Sequence, residues 1–329
     1  MKKFLFLAIA ATAFASCSQD EVLEVAQKQA ISFGTSFVDK STRAATDPSY
    51  IKGTEGHEIE KVDVWGTVTA APTGSTPVLI YNSTDVTRDS KEYGVAWTCP
   101  VTQYWVPGAT YKFVGIVDGE KNSVTNVNIP SGQLLPTTVT YKADGETDLL
   151  CDVVDVAGSV VTAEYSDIVK FEYKHLLAKV KFTLIDNSPA EQFRYSVSDI
   201  EITNAYAQGT VDVANGTWSS LQTTGAANET YNTFGNIAHD DTDNECAAEK
   251  LLLPMSNPVV SFKLKLEGLN SAKTFVEIST EPIEKTVTID LKAANAYNFN
   301  IEVGVGQEIK FSVDKLEGWP TTKEETIKL

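Results

Sequence analysis

KHLLAKVKFTLI, residues 174–185, is the stretch on which the fold turns. Its opening can be mistaken for part of a helix. Its second half alternates strictly: Val180, Phe182 and Leu184 hold one parity, Lys181 and Thr183 the other. Successive side chains on a strand point to opposite faces, so this is the pattern of a half-buried strand. The same period of two runs through VDVWGTV (62–68), TYKFVGIV (110–117), VVSFKLKL (259–266), TFVEIS (274–279), VTIDL (287–291), YNFNIEV (297–303) and IKFSV (309–313). Val, Ile, Phe, Tyr and Thr fill these runs, as strands prefer. Turn-forming clusters separate them: APTGSTP (71–77), VDGEKNS (117–123), IPSGQ (129–133), ADGE (143–146) and ANGT (214–217). The last, between TVDV and WSS, predicts a hairpin.

Long amphipathic helices are absent from the sequence, and the class is all-β, with many short strands at sandwich-like spacing. Turn punctuation weakens before residue 170 and a fresh strand series starts at FEYKHLLAKVKFTL. The reading is therefore one sandwich over 44–170 and a second over 171–329. No internal repeat is obvious. The polar stretch GAANETYNTFGNIAHDDTDNECAAEK (225–250) reads as an extended surface loop.

The N-terminus supplies context. Lys2 and Lys3 precede the apolar run Phe4–Phe14, 11 residues long. A helical span of a bilayer core needs about 20, so the pattern is a secretory signal over residues 1–16. Phe14-Ala15-Ser16-Cys17 resembles a lipobox, which makes Cys17 the lipidation site; an ordinary signal peptide cut near Ala15 is the alternative. The following Ser-Gln-Asp-Glu resembles the acidic tag of surface-exposed outer-membrane lipoproteins. Acyl chains contribute about 0.8 kcal/mol per buried CH₂, and two or more anchor stably.

Charge narrows the partners. The net charge is −17; residues 1–43 hold five positive and four negative groups, so the remainder carries −18. Such acidity argues against nucleic acid and anionic lipid surfaces. Four Cys are present, and acylation of Cys17 leaves Cys99, Cys151 and Cys246. No CxxC spacing occurs. A Cys99–Cys151 disulfide and buried free thiols are both open.

Catalytic groups are sparse. His57 and His239 sit in polar stretches, and His175 precedes an apolar run, which favours a structural role. No nucleophile elbow, zinc-protease or phosphate-loop motif occurs. The chain reads as no enzyme, with no cofactor and no metal site. Asp241-Thr242-Asp243-Asn244-Glu245 begins like a calcium loop, but Cys246 stands where the loop needs Gly and Leu252 where it needs Glu. Aromatics gather at 96–113: Trp97, Tyr104, Trp105, Tyr111 and Phe113. Buried, they form a core; exposed, they would stack on sugars and make this a glycan-binding surface lipoprotein, the alternative function.

The order of these features resembles the fimbrillin family, the type V pilins and fimbrillin-like lipoproteins of Gram-negative gut and oral bacteria. The resemblance is carried by the lipobox at Cys17, ISFGTSF (31–37) followed by Thr42-Arg43-Ala44, AWTCPVTQYWVPGATYKF (96–113), Asp148-Leu149-Leu150, FEYKHLLAKVKFTL (171–184), AANAYNFNIEV (293–303) and Trp319. It implies two tandem transthyretin-like β-sandwiches. It also implies export as a lipoprotein, outer-membrane and fimbrial location, and cleavage between Arg43 and Ala44 by a trypsin-like protease. The N-terminal strand of the 17–43 propeptide is then lost. Another subunit's C-terminal segment (309–329) fills the groove and builds a fibre that contributes to adhesion.

The residues themselves suit that chemistry. Ile31, Phe33 and Phe37 share one face of a strand. Burying three large apolar side chains supplies on the order of 5–9 kcal/mol. Ala44-Ala45-Thr46-Asp47-Pro48 is small, polar and turn-prone, which suits exposure to a protease. The alternative is that Arg43 is a linker residue and the strand stays attached. The candidate donor carries Ile309, Phe311, Val313, Trp319, Ile327 and Leu329, with Pro320 separating two short strands. Its alternative is completion of its own subunit's second sandwich.

Overall fold

A computed structural model describes residues 29–37, 61–70, 75–87, 97–118, 123–187, 192–223, 230–237, 245–247, 249–303, 310–315 and 327–328. These residues form 22 strands and no helix. In chain order they are β1 (Phe33–Phe37), β2 (Lys61–Thr69), β3 (Val78–Thr87), β4 (Thr110–Val117), β5 (Val124–Asn128), β6 (Thr138–Lys142), β7 (Leu150–Val156) and β8 (Val169–His175). The second half supplies β9 (Ala178–Asp186), β10 (Phe193–Ile202), β11 (Gln208–Asp212), β12 (Trp218–Gln222), β13 (Thr233–Ile237), β14 (Glu245–Cys246), β15 (Lys250–Leu252) and β16 (Met255–Ser256). It ends with β17 (Val259–Leu269), β18 (Phe275–Thr286), β19 (Asp290–Leu291), β20 (Ala296–Val303), β21 (Lys310–Lys315) and β22 (Ile327–Lys328).

The first sheet runs β1-β8-β7-β4-β2-β3. Both faces of it are apolar, because β4 reads as a nearly continuous buried run rather than an alternation. Tyr111, Phe113 and Val117 point into an aromatic cluster with Ile31, Phe33, Tyr81, Trp105, Phe171 and Tyr173. Val114 and Ile116 point the other way, with Trp65 and Cys151, into a larger core. That core also takes Val139 and Tyr141 of β6, Val211 of β11, and Phe182 and Phe299 of β9 and β20.

A four-stranded sheet, β12-β11-β6-β5, is shared by the two halves of the chain, since β6 pairs with β11 from Thr138 to Lys142. The remaining strands form the sheet β13-β10-β17-β18, the sheet built on β9, β20, β21 and β22, and the small pair β16-β19. The boundary expected after residue 170 falls inside β8, which pairs with β7 and β1. The link from β8 to β9 is Leu176-Leu177, both buried. It is clamped: Leu176 N–H donates to Leu149 O (3.0 Å), Trp218 Nε1–H donates to Leu176 O (2.8 Å), and the buried pair Asp148–His175 lies beside it.

The hairpin at Ala214–Thr217 is present, with Gly216 at φ 71°. Residues 225–250 are not one extended loop. Thr233–Ile237 is a strand antiparallel to β10, and β14 and β15 pair with β9. Phe234 and Ile237 are buried while Gly235 and Asn236 between them are exposed, so two apolar anchors suffice to seat the strand.

One local device, a tyrosine corner, occurs twice and is visible only in three dimensions. The Tyr111 hydroxyl accepts the Val106 N–H (2.6 Å) and donates to Tyr104 O (3.4 Å). The Tyr297 hydroxyl accepts the Lys292 N–H (3.0 Å) and donates to Asp290 O (3.0 Å). Each tyrosine thus reaches back five and seven residues, and each is followed two places on by a fully buried Phe, Phe113 or Phe299. Three residues before each tyrosine the backbone is left-handed, at Gly108 (φ 78°) and Ala294 (φ 58°). That region costs an L-residue about 1–2 kcal/mol, part of which Gly gives back in chain entropy. Ala294→Gly is therefore expected to stabilise the protein by about 0.5–1 kcal/mol. Urea unfolding checks it, and an unchanged or lower midpoint would refute it.

Candidate functional site: the N-terminal strand and its groove

Strand β1 runs parallel to β8, in register from Phe33↔Val169 to Phe37↔Tyr173. Parallel pairing is the slightly weaker kind per residue. Just upstream the chain meets a second edge, the segment Gln103–Trp105. Ile31 N–H donates to Gln103 O (2.8 Å) and Trp105 N–H donates to Gln29 O (2.9 Å). Ala30 and Tyr104 form the antiparallel bridge between these bonds. Residues 29–31 therefore pair with this strap and residues 33–37 with β8, so the segment engages two edges in succession.

The side chains reach the middle of the aromatic cluster. Ile31 and Phe33 are 5% and 7% exposed, so both are removed from water by packing on residues far along the chain. The Phe33 ring meets Tyr81 and Phe113 edge-on at 5.3 and 5.9 Å and stacks parallel to Phe171 at 6.2 Å. Such pairs add about 0.5–1.5 kcal/mol beyond area burial. Trp105 closes the cluster, edge-on to Tyr111 at 4.7 Å and to Tyr165 at 4.9 Å. Burial pushes the hydroxyls of Tyr81, Tyr111 and Tyr173 above their ordinary range. Trp105 Nε1 and Tyr173 Oη are buried without a hydrogen-bond partner among the described residues. The grip on β1 is therefore apolar packing plus backbone hydrogen bonds.

The expected strand face is present for Ile31 and Phe33. Phe37 pairs through its backbone, and its side chain lies outside the described part. Cys17, Arg43, Ala44, Ile309, Trp319 and Leu329 lie outside the described residues, as do Asp241–Asn244 of the calcium-like run. Phe311 and Val313 lie on β21, antiparallel to β20, and Ile327 on β22 pairs with Val313. In this structure the C-terminal strands complete the second half's own sheet.

Among the aromatics at 97–113, Trp105, Tyr111 and Phe113 are buried, Trp97 is half-buried against them, and Tyr104 is exposed. They build a core rather than a flat stacking platform, which removes the motive for a sugar site there. Cys99 and Cys151 are free thiols; Cys99 packs on the aromatic cluster, and Cys151 belongs to the core on the opposite face of the first sheet. Among the described residues no group of three or more potential ligands could hold a metal ion.

The strap was not legible in the sequence as a wall of this groove. Its side chains read as core, and the backbone bonds to Gln29 and Ile31 leave no mark in composition.

The profile of the fimbrillin-like family matches residues 42–319. The chain belongs to the fimbrillin-like family. A fimbrial protein from Bacteroides vulgatus ATCC 8482 shares its fold at a TM-score of 0.59, with 14% identity over 88% of this chain and 99% of that one. A candidate cell adhesion protein from Bacteroides ovatus ATCC 8483 follows at a TM-score of 0.48, with 15% identity over 90% and 99%. The fimbrial anchor protein Mfa2 from Porphyromonas gingivalis stands at 0.36, with 12% identity over 84% and 90%. The last two are too distant in shape to carry an argument. No curated protein matches the sequence. Membership of the fimbrillin-like family supports a structural role as a fimbrial subunit at the cell surface rather than an enzymatic one.

Proposed function

We propose that this fimbrillin-like protein is a fimbrial subunit primed by its own N-terminal strand. It is exported as a lipoprotein on Cys17, and a trypsin-like protease cuts between Arg43 and Ala44. The cut leaves residues 29–37 held by packing and hydrogen bonds alone. Their loss uncovers an apolar groove with two unpaired edges, a template for a strand from another chain. The C-terminal segment 309–329 of a neighbouring subunit fills it. Donor and acceptor are different surfaces, so the contact does not close on itself and propagates as a fibre that serves adhesion.

One observation carries this reading. The strand that fills the centre of the aromatic cluster is the end strand of its sheet and lies upstream of Arg43. Donation requires β21 and β22 to leave β20, and β22 is itself the last strand of its sheet.

Limited trypsin digestion of the purified chain, followed by N-terminal sequencing and SDS electrophoresis without heating, tests it. The expected product begins at Ala44 and forms a ladder of multimers. A product that begins at Ala44 and stays monomeric overturns the exchange step. A chain left uncut at Arg43 overturns the priming step.

A further inference from the structure

The two tyrosine corners differ in one respect. In each, the segment just before the corner pairs with an upstream stretch of chain. Asn257 N–H donates to Ile289 O (2.9 Å) as Ile31 N–H donates to Gln103 O (2.8 Å). Ser256 pairs with Asp290 as Ala30 pairs with Tyr104. In the second corner that partner, β16, is tied into the chain between β15 and β17. In the first it is Gln29–Ile31, which precedes Arg43. The same device is built once around a permanent strand and once around a severable one.

We propose that Tyr111 is a positioning residue for strand capture, resting on the exchange reading above. Its hydroxyl bonds, to Val106 N–H and Tyr104 O, involve no atom of residues 29–37. Its ring is 1% exposed and is fixed edge-on against Trp105 at 4.7 Å and parallel to Phe113 at 6.0 Å. The strap Gln103–Val106 therefore keeps its shape when β1 leaves. An incoming segment finds both edges preformed, first the strap and then β8, and little ordering is left for binding to supply. The occupant this selects is an extended segment that offers N–H and C=O groups to the two edges in succession and apolar side chains at alternate positions.

Tyr111→Phe and Tyr297→Phe separate this role from plain stability. Each removes one hydroxyl from one corner, and both should lower the urea midpoint alike. The probe is a fluorescein-labelled peptide of residues 29–37, exchanged into full-length protein after limited trypsin cleavage. Tyr111→Phe should release the peptide about tenfold faster, the equivalent of one lost hydrogen bond. Tyr297→Phe should stay within about twofold of wild type, by the same scale. Equal effects of the two substitutions, or no effect of either, overturn the proposal while leaving exchange intact. Wild-type protein that takes up no peptide overturns the exchange reading and this proposal together.

A measurement on wild type alone guards against a variant that fails to fold. After strand removal, the Val106 amide should keep its protection from hydrogen exchange while the Trp105 amide, bonded to Gln29 O, loses its own. Loss of both together would show a strap that depends on β1.

Discussion

Phe33→Ala is expected to lower the unfolding free energy by about 3–5 kcal/mol, the range of large-to-small changes in aromatic cores. The ring touches side chains from three separate strands: Tyr81 of β3, Phe113 of β4 and Phe171 of β8. Those strands are spread over the sheet, so they cannot collapse together into the vacated volume, and most of the cavity stays. Ile31→Ala removes less volume from the same cluster and should cost about 2–4 kcal/mol. Urea unfolding of the uncut chain measures both. A loss under 1 kcal/mol for Phe33→Ala would mean that the strand is dispensable to the first sheet, and the priming argument would go with it. After cleavage the same substitution should appear as faster strand loss, because the contacts that stabilise the fold are then those that retain a separate segment.

What the sequence makes legible follows from how each feature is encoded. Alternation is local, so β9, β17 and β20 could be read directly, as could the hairpin at Ala214–Thr217 and the buried pair Ile31 and Phe33. Features made by distant backbone atoms leave no such trace. Nothing in Gln103-Tyr104-Trp105 shows that its main chain binds Gln29 and Ile31. Nothing in Thr138–Lys142 shows that it joins β11, which merges the two expected sandwiches through one sheet. The repeated tyrosine corner stayed hidden because the two loops, TQYWVPGATYKF (102–113) and TIDLKAANAYNF (288–299), share only Thr, Tyr and Phe at equivalent places. A geometric constraint on three residues is weak as a sequence signal and strong as a structural one. β13 leaves a weak trace for a related reason: Thr233-Phe234-Gly235-Asn236-Ile237 holds only two apolar anchors among residues that favour turns.

Asp148→Ala is the other change expected to weigh heavily, at about 3 kcal/mol. Asp148 and His175 are each 9% exposed, deep enough that water does not replace a lost partner. One carboxylate oxygen accepts the Leu149 N–H (2.9 Å), and the other meets His175 Nδ1. Removing the carboxylate breaks both interactions inside the fold, each a hydrogen bond to a charged acceptor of about 1.5–3 kcal/mol. Asp148→Asn keeps the shape and an acceptor for Leu149, so its cost should be nearer 1 kcal/mol. The location adds a second expectation. Leu149 O accepts the Leu176 N–H, Leu176 O accepts Trp218 Nε1–H, and Leu177 is fully buried, so this pair holds the passage from β8 to β9. A loosened passage weakens the coupling between the strands on its two sides. The urea transition of Asp148→Ala should then be broader, with a smaller slope than wild type. A substitution within about 0.5 kcal/mol of wild type, with an unchanged slope, would show that the joint does not depend on this pair.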